Sequence, residues 1–295
     1  MTPASRPRPE RESLLVQTRR LLRHAGLRAR KGLGQHFLVD ESVLGLIIET
    51  AELASSDIVI EIGPGLGILT RELAGKAGRV IAVELDGRLA AVLKESLAAF
   101  DNVTIINGDI LKIDPAVLLR EAGGPEYKVV ANLPYYITSP VLRHFLEAPA
   151  RPRTMVVMVQ KEVAEVIAAR PGRMSLLSVG VQLYGKPEII GHVSAESFYP
   201  VPEVDSAILK ISVSAGPRVA VSDEAGFFSV VRAGFSASRK QLINSLVRGL
   251  GLPRAEVLRM LEDSGIEPRR RAETLSLEEW SRLWRVFAEM RKGAC

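Results

Sequence analysis

The run Asp57-Ile58-Val59-Ile60-Glu61-Ile62 passes without a break into Gly63-Pro64-Gly65-Leu66-Gly67, and this junction constrains the chain most. A short, apolar, β-branched run of this kind is a strand covered on both faces, which belongs in a parallel sheet flanked by helices. The glycines form a strand-to-helix turn where the backbone can come close to a ligand, and a helix is expected over residues 68–74. Two more strands of the same character follow. They are Arg79-Val80-Ile81-Ala82-Val83-Glu84 and Val103-Thr104-Ile105-Ile106-Asn107, the second running into Gly108-Asp109. The glycine loop, Glu84 and Asp109 therefore recur at intervals of roughly twenty residues, at the carboxyl ends of consecutive strands. Open α/β sheets hold their ligands at that edge.

The turn reads G-x-G-x-G, one residue tighter than the dinucleotide fingerprint G-x-G-x-x-G. A dinucleotide needs its pyrophosphate on the helix N-terminus. S-adenosylmethionine has no phosphate, and its loop has only to clear space for the amino-acid and ribose parts. Gly63 and Gly65 fit that task. A carboxylate at Glu84 suits a pair of ribose hydroxyls; the structural alternative is a helix N-cap, for which Asp86 is better placed. Asp109 could accept from an adenine amino group or cap a turn.

A further strand, Tyr127-Lys128-Val129-Val130-Ala131, ends in Asn132-Leu133-Pro134-Tyr135. Pro134 cannot continue a ladder, and it pushes Leu133 towards an extended conformation. The resulting rigid corner offers an amide side chain, the Leu133 carbonyl and an aromatic ring in a small volume. Two acceptors and a ring suit an exocyclic amine on a flat base, and nothing in the corner is a strong base. Methylation of the adenine amino group is the expected chemistry; hydride transfer has no use for such a corner.

The rest of the chain frames this site. Residues 11–25 have helical spacing with Arg19, Arg20 and Arg23 interspersed, and the first ten residues are expected to be a tail. The basic segment 28–38 reads equally as a solvated linker, and Asp40 as the N-cap of a helix reaching Leu53. Beyond the corner, Thr138 and Ser139-Pro140 start a helix through Leu146. Thr154-Met155-Val156-Val157-Met158-Val159 is a fifth strand, followed by helices over 161–169 and 174–184. Glu188-Ile189-Ile190 and a run over 206–213 close the strand series, the latter alternating as an antiparallel strand does. Between them, two prolines stiffen Ser197-Phe198-Tyr199-Pro200-Val201-Pro202, where Phe198 could clamp an extruded base or plug a core edge. Ser214-Ala215-Gly216-Pro217 marks a boundary. Four helical patterns follow, at 223–235, 239–249, 253–263 and 276–290, with no strand signal. Arg232, Arg239, Lys240, Arg248 and Arg271 among them are placed for phosphate contacts, although a solvated helix face has the same composition.

Composition narrows the classes. With 47% hydrophobic residues over 295, a sizeable core can be buried. The net charge of +5 is too small to identify a nucleic-acid binder by itself. Cys295 is the single cysteine and His24, His36, His144 and His192 are scattered, so neither a disulfide framework nor a metal site is expected. No stretch approaches the apolar length of a membrane span, and the N-terminus lacks the apolar core of a signal peptide. A cytoplasmic chain without membrane contact is expected.

Taken together, six segments resemble the ribosomal RNA adenine dimethyltransferases that modify small-subunit RNA, the KsgA type. They are Gly34-Gln35-His36-Phe37-Leu38; Glu61-Ile62-Gly63-Pro64-Gly65-Leu66-Gly67; Asn132-Leu133-Pro134-Tyr135; Phe198 to Ser206; Phe235-Ser236 with Arg239-Lys240; and Arg271-Ala272-Glu273-Thr274-Leu275-Ser276. The likeness covers about residues 16–280. It implies an α/β fold: a Rossmann-like, seven-stranded S-adenosylmethionine-dependent methyltransferase sheet with one antiparallel strand and a small C-terminal all-helical domain. The expected division is a tail and helix at 1–27, a catalytic domain at 28–214 and an RNA-binding helical domain at 218–295. The likeness further implies S-adenosylmethionine contacts from His36, Leu38, Gly63, Glu84, Asp109 and Asn132, with Tyr135 and Phe198 holding the target adenine. The implied reaction is dimethylation of two adjacent adenines in a hairpin loop near the 3′ end of small-subunit RNA, on a pre-30S particle, by a monomer. Alternatives are a large-subunit RNA adenine methyltransferase conferring antibiotic resistance, a non-catalytic ribosome-assembly factor and a DNA adenine methyltransferase. Two departures from the family pattern are visible. Pro171-Gly172-Arg173 replaces a longer segment, and His36 stands where some members carry Asn, which points to a main-chain contact there.

Overall fold

The computed structural model describes residues 12–124, 126–237 and 239–292. The expected tail over the first ten residues and Cys295 lie outside the described residues. Seven strands form one sheet: β2 (Ile58–Ile62), β3 (Arg79–Glu84), β4 (Val103–Asn107), β5 (Lys128–Asn132), β6 (Thr154–Gln160), β7 (Gly185–Val193) and β9 (Ser206–Val213). Their order is β4-β3-β2-β5-β6-β9-β7, parallel from β4 to β6. Strand β9 runs antiparallel to both neighbours, as expected. It lies inside the sheet with Ser206 to Leu209 all buried, because β6 and β7 flank it and both faces are covered. At the edge, β7 is nine residues long rather than the three the sequence signals, and it includes Pro187. An edge strand tolerates that proline because one row of its backbone groups needs no partner.

Side-chain alternation in the strands builds two apolar layers. Ile60, Ile62, Ile81, Val83, Val129, Ala131, Met155 and Val157 face one way, onto α6 (Thr138–Leu146), α7 (Lys161–Ile167) and α8 (Leu176–Tyr184). Val59, Val80, Val130, Val156, Met158 and Ile208 face the other, onto α2 (Glu41–Ala51) and α3 (Ile68–Ala74). Short polar residues set the helix starts: Asp40 accepts from the Ser42 and Val43 amides to cap α2. Helix α4 (Gly87–Ser96) begins at the expected N-cap Asp86, and α5 (Pro115–Ala122), not anticipated from the sequence, begins at Asp114.

A second, two-stranded sheet is equally unanticipated. Strand β1 (Phe37–Leu38) pairs antiparallel with β8 (Phe198–Tyr199), with Leu38 opposite Phe198 and Phe37 opposite Tyr199. Two-residue strands carry no periodicity, so no local pattern could reveal them. The ladder ties the basic N-terminal segment to the proline-stiffened loop. Helix α1 (Leu14–His24) lies beside it, with Leu22 packed in a cluster with Phe37, Leu66 and Leu89.

The helices α9 (Glu224–Phe235), α10 (Leu242–Leu250), α11 (Arg254–Asp263) and α12 (Leu277–Lys292) form the C-terminal region. Its core around Trp280, Phe227 and Leu246 is continuous with the apolar layer over α8. Polar contacts reinforce the join. Tyr184 donates from its hydroxyl to Glu224 Oε2 at 2.5 Å, and Arg151 lies over the Tyr184 ring at 4.5 Å while pairing with Glu224. The connection at 214–217 is held to α8, since the Ser214 amide donates to the Tyr184 carbonyl. The short Pro171-Gly172-Arg173 segment is likewise a bracket, with the Gly172 and Met174 amides both donating to the Glu273 carbonyl. No helix among the described residues is long and apolar enough to cross a membrane.

Candidate active site

A cavity of about 290 Å³ opens at the carboxyl ends of β2, β3, β4 and β5. It is walled by residues 33–38, the glycine loop, Glu84, residues 108–111 and the corner 132–137. Topology gathers these pieces because parallel strands present their carboxyl ends at one edge.

The glycine loop is held in a shape that side chains resist. Gly65 and Gly67 have φ of 60° and 79°, in the left-handed region that glycine enters at no steric cost. A Cβ on Gly65 would meet the Phe37 ring at 3.1 Å, and one on Gly67 would meet Leu93 at 2.8 Å. The missing side chains therefore let the loop lie against both β1 and α4.

Glu84 is 6% exposed. Its Oε2 accepts from the Gly65 amide at 3.2 Å and its Oε1 from the Asp86 amide at 2.9 Å. Burial pushes its carboxyl above the ordinary range, against the pull of those amides. A carboxylate has about four lone-pair positions, so two remain for a ligand. Asp86 takes the N-cap role expected of it, accepting from the Arg88 amide and pairing with Arg30. Of its two expected placements Asp109 takes the turn cap, its Oδ1 accepting from the Leu111 amide, and the residue also lines the cavity.

At the corner, Asn132 Nδ2 donates to the His36 carbonyl at 3.2 Å. A carbonyl only accepts, so the amino end of the amide must face it, which leaves Asn132 Oδ1 facing the cavity. The Leu133 amide is spent on the Met158 carbonyl. Among the described residues no protein donor reaches Asn132 Oδ1 or the Leu133 carbonyl. The Tyr135 hydroxyl is 2.7 Å from Ser206 Oγ, and its ring lies nearly parallel to the His36 ring, centroids 6.1 Å apart. His36 Nδ1 is 2.8 Å from the Pro200 carbonyl and must carry the proton there.

His36, Leu38, Gly63, Gly65, Glu84, Asp109, Asn132, Leu133 and Tyr135 all line this one cavity. Phe198 does not. It is 2% exposed and lies in the core with Leu38, Val193 and Ile208, so of its two expected placements the structure selects the core plug. The strand alternation decides this, because Phe198 faces the core as the partner of Leu38. Arg232, Arg239, Lys240, Arg248 and Arg271 are exposed on the helical region, away from the cavity wall. Sequence reasoning missed Tyr136, 54% exposed at the rim, as well as Leu85 and Ile110. It also assigned no role to Glu61, which is 1% exposed. The signal for Leu85 and Ile110 was their place one residue past Glu84 and Asp109, where a strand-end side chain reaches the same ligand.

The wall holds the carboxyl groups of Glu61, Glu84 and Asp109 and, among the described side chains, no lysine or arginine. That polarity disfavours a pyrophosphate and fits a cationic sulfonium ligand. The glycine cradle and the orphaned Glu61 Oε2 add to that fit.

Fold and cavity together define a Rossmann-like α/β methyltransferase. The family model for ribosomal RNA adenine dimethylase matches residues 26–289. A ribosomal RNA small subunit methyltransferase A from Dehalococcoides mccartyi is 52% identical over 94% of both chains. The protein of that name from Moorella thermoacetica is 47% identical over 92% of this chain and 96% of its own. Among solved structures, a dimethyladenosine transferase from Plasmodium falciparum superposes with a TM-score of 0.73 at 27% identity, over 88% of this chain and 98% of its own. The 23S rRNA methyltransferase ErmE does so at 0.68 and 33%, over 85% and 99%. The chain belongs to the ribosomal RNA adenine dimethylase family.

Proposed function

We propose that the chain transfers methyl groups from S-adenosylmethionine to the N6 amino groups of two adjacent adenines in a hairpin loop near the 3′ end of small-subunit ribosomal RNA. It acts as a cytoplasmic monomer on the assembling 30S particle. The observation that carries this reading is the pair of free acceptors, Asn132 Oδ1 and the Leu133 carbonyl, at the cavity wall beside the Tyr135 ring. The names of the 52% and 47% identical relatives support small-subunit RNA as the substrate.

S-adenosylmethionine, when bound, supplies an electrophilic methyl group on a sulfonium. Gly63 and Gly65 clear the space for it, and Glu84 keeps lone pairs for ribose hydroxyls. Leu38, His36 through its backbone, and Asp109 complete that wall. The adenine amine is a weak nucleophile because its lone pair is delocalised into the ring. Asn132 Oδ1 and the Leu133 carbonyl accept from its two N–H groups, which favours a pyramidal nitrogen whose lone pair points at the donor. Both bonds strengthen as the nitrogen gains positive charge, so they stabilise the transition state more than the ground state. Orientation of this kind supplies part of the roughly 7–11 kcal/mol available in well-placed systems. Tyr135, fixed through Ser206, gives the base a stacking face, and Phe198 supports the ladder from beneath. No general base is required, because the proton leaves to water after attack. The exposed Arg232, Arg239, Lys240, Arg248 and Arg271 hold RNA phosphates.

Mass spectrometry of ribosomal RNA after incubation of subunits with methyl-labelled cofactor tests the reading. Two adjacent N6,N6-dimethyladenosines in the small-subunit RNA are expected. Label confined to the large-subunit RNA would favour a resistance-type methyltransferase, and label in neither RNA would refute both.

A further inference from the structure

Glu61, at the carboxyl end of β2, has a role that the adenine-binding corner does not need. Its side chain points between the sheet and α3, is 1% exposed, and contributes to the cavity wall next to Gly63. Its Oε2 has no hydrogen-bond partner among the described residues, nor has the nearby Thr70 Oγ1. A buried carboxylate without a partner is costly, so a carboxyl in this position holds its proton. Burial raises Glu61 to about 8, with the Thr70 hydroxyl partly opposing the shift and the Glu84 carboxylate adding to it. Cations on the surrounding elements are engaged elsewhere. Lys128 of β5 pairs with Asp57 at the far end of the strand, Arg71 of α3 donates to the Ser96 carbonyl, and Arg88 and Arg30 pair with Asp86. An acid in this setting lacks only a positive charge, and a sulfonium cofactor with an ammonium group brings one.

We propose that Glu61 is a proton-linked cofactor-binding residue: a neutral acid in the free protein that becomes a carboxylate when the cationic cofactor enters the cavity. The O–H bond breaks, its electron pair stays on the carboxylate, and the proton passes to solvent. Binding of S-adenosylmethionine thereby releases a proton that S-adenosylhomocysteine, lacking the sulfonium charge, releases less completely. The inference rests on the cavity being the S-adenosylmethionine site, as in the function proposed above.

Isothermal titration calorimetry of the full chain with S-adenosylmethionine, in buffers of different ionisation enthalpy, counts the proton. Close to one proton per cofactor is expected at pH 7. The dissociation constant should fall by about tenfold per pH unit between pH 6 and 7.5, below the titration of the cofactor's own amino group. Glu61→Gln should abolish both the release and the slope. Thr70→Val should keep the release and move its midpoint to higher pH, which keeps the proposal open to test should the glutamine variant fail to fold. Cofactor binding with no proton released by the wild type, or a slope retained in Glu61→Gln, would overturn the proposal and leave the cofactor site standing. Absence of any S-adenosylmethionine binding would overturn the cofactor site itself, and the proposal with it.

Discussion

Asn132 Nδ2 and the His36 carbonyl meet at 3.2 Å across 96 positions of sequence. This contact orients the amide so that its oxygen, not its nitrogen, faces the cavity. A backbone atom from the N-terminal segment thus sets the chemistry of a side chain at the end of β5. The contact uses only the main chain of His36, so the identity of that side chain does not enter it.

Replacing Asn132 with Ala removes an acceptor aimed at the developing charge. The turnover number should fall by about 100- to 1000-fold, the range seen when one preorganised hydrogen-bonding group is lost from a transition-state site. The cofactor dissociation constant should stay within a few-fold of wild type. Near-normal turnover in a single-round methylation assay would remove Asn132 from the reaction.

Phe198→Ala empties a core position rather than a substrate surface. A loss of about 3–5 kcal/mol in urea unfolding is expected, as for other buried Phe→Ala changes. Tyr135→Phe, by contrast, gives up only the bond to Ser206 and should cost about 1 kcal/mol. Unchanged stability with impaired RNA capture in the Phe198 variant would return Phe198 to the role of a base clamp.

Glu61 gives stability a pH dependence of its own. Folded, it keeps its proton until about pH 8, whereas unfolded it ionises near 4.5. Over that window the folded state binds more protons, so the contribution of Glu61 is complete below about pH 4.5 and lost as pH rises through 8. The slope is about 1.4 kcal/mol per pH unit. Glu61→Gln cannot titrate, so its stability relative to wild type should rise steadily between pH 5 and 8 in denaturant melts. A difference that stays flat with pH would show that Glu61 is ionised in the folded chain.

Charge reversal at Arg232, Arg239, Lys240, Arg248 and Arg271 should weaken RNA binding and flatten its salt dependence. Every phosphate that the variant no longer neutralises lowers the slope of log affinity against log salt by roughly 0.7–0.9. Filter binding over a range of potassium chloride concentrations reads this directly, and an unaltered slope in the combined variant would place the RNA elsewhere.

The sheet, the glycine loop and the ring of strand-end acids were legible in the residues alone. Strands β3 and β4 and helices α3 and α6 stand at their expected bounds, because alternation, proline, capping residues and β-branching act through near neighbours. Tertiary structure alone decided the pairing of β1 with β8, the burial of Phe198, the orientation of the Asn132 amide and the isolation of Glu61 Oε2. It also turned the shortened Pro171-Gly172-Arg173 segment onto the Glu273 carbonyl. Each of these depends on which groups from distant parts of the chain exclude water from the same place. Local pattern sets where a side chain leaves the backbone, whereas its partners and its charge state depend on what the fold packs against it.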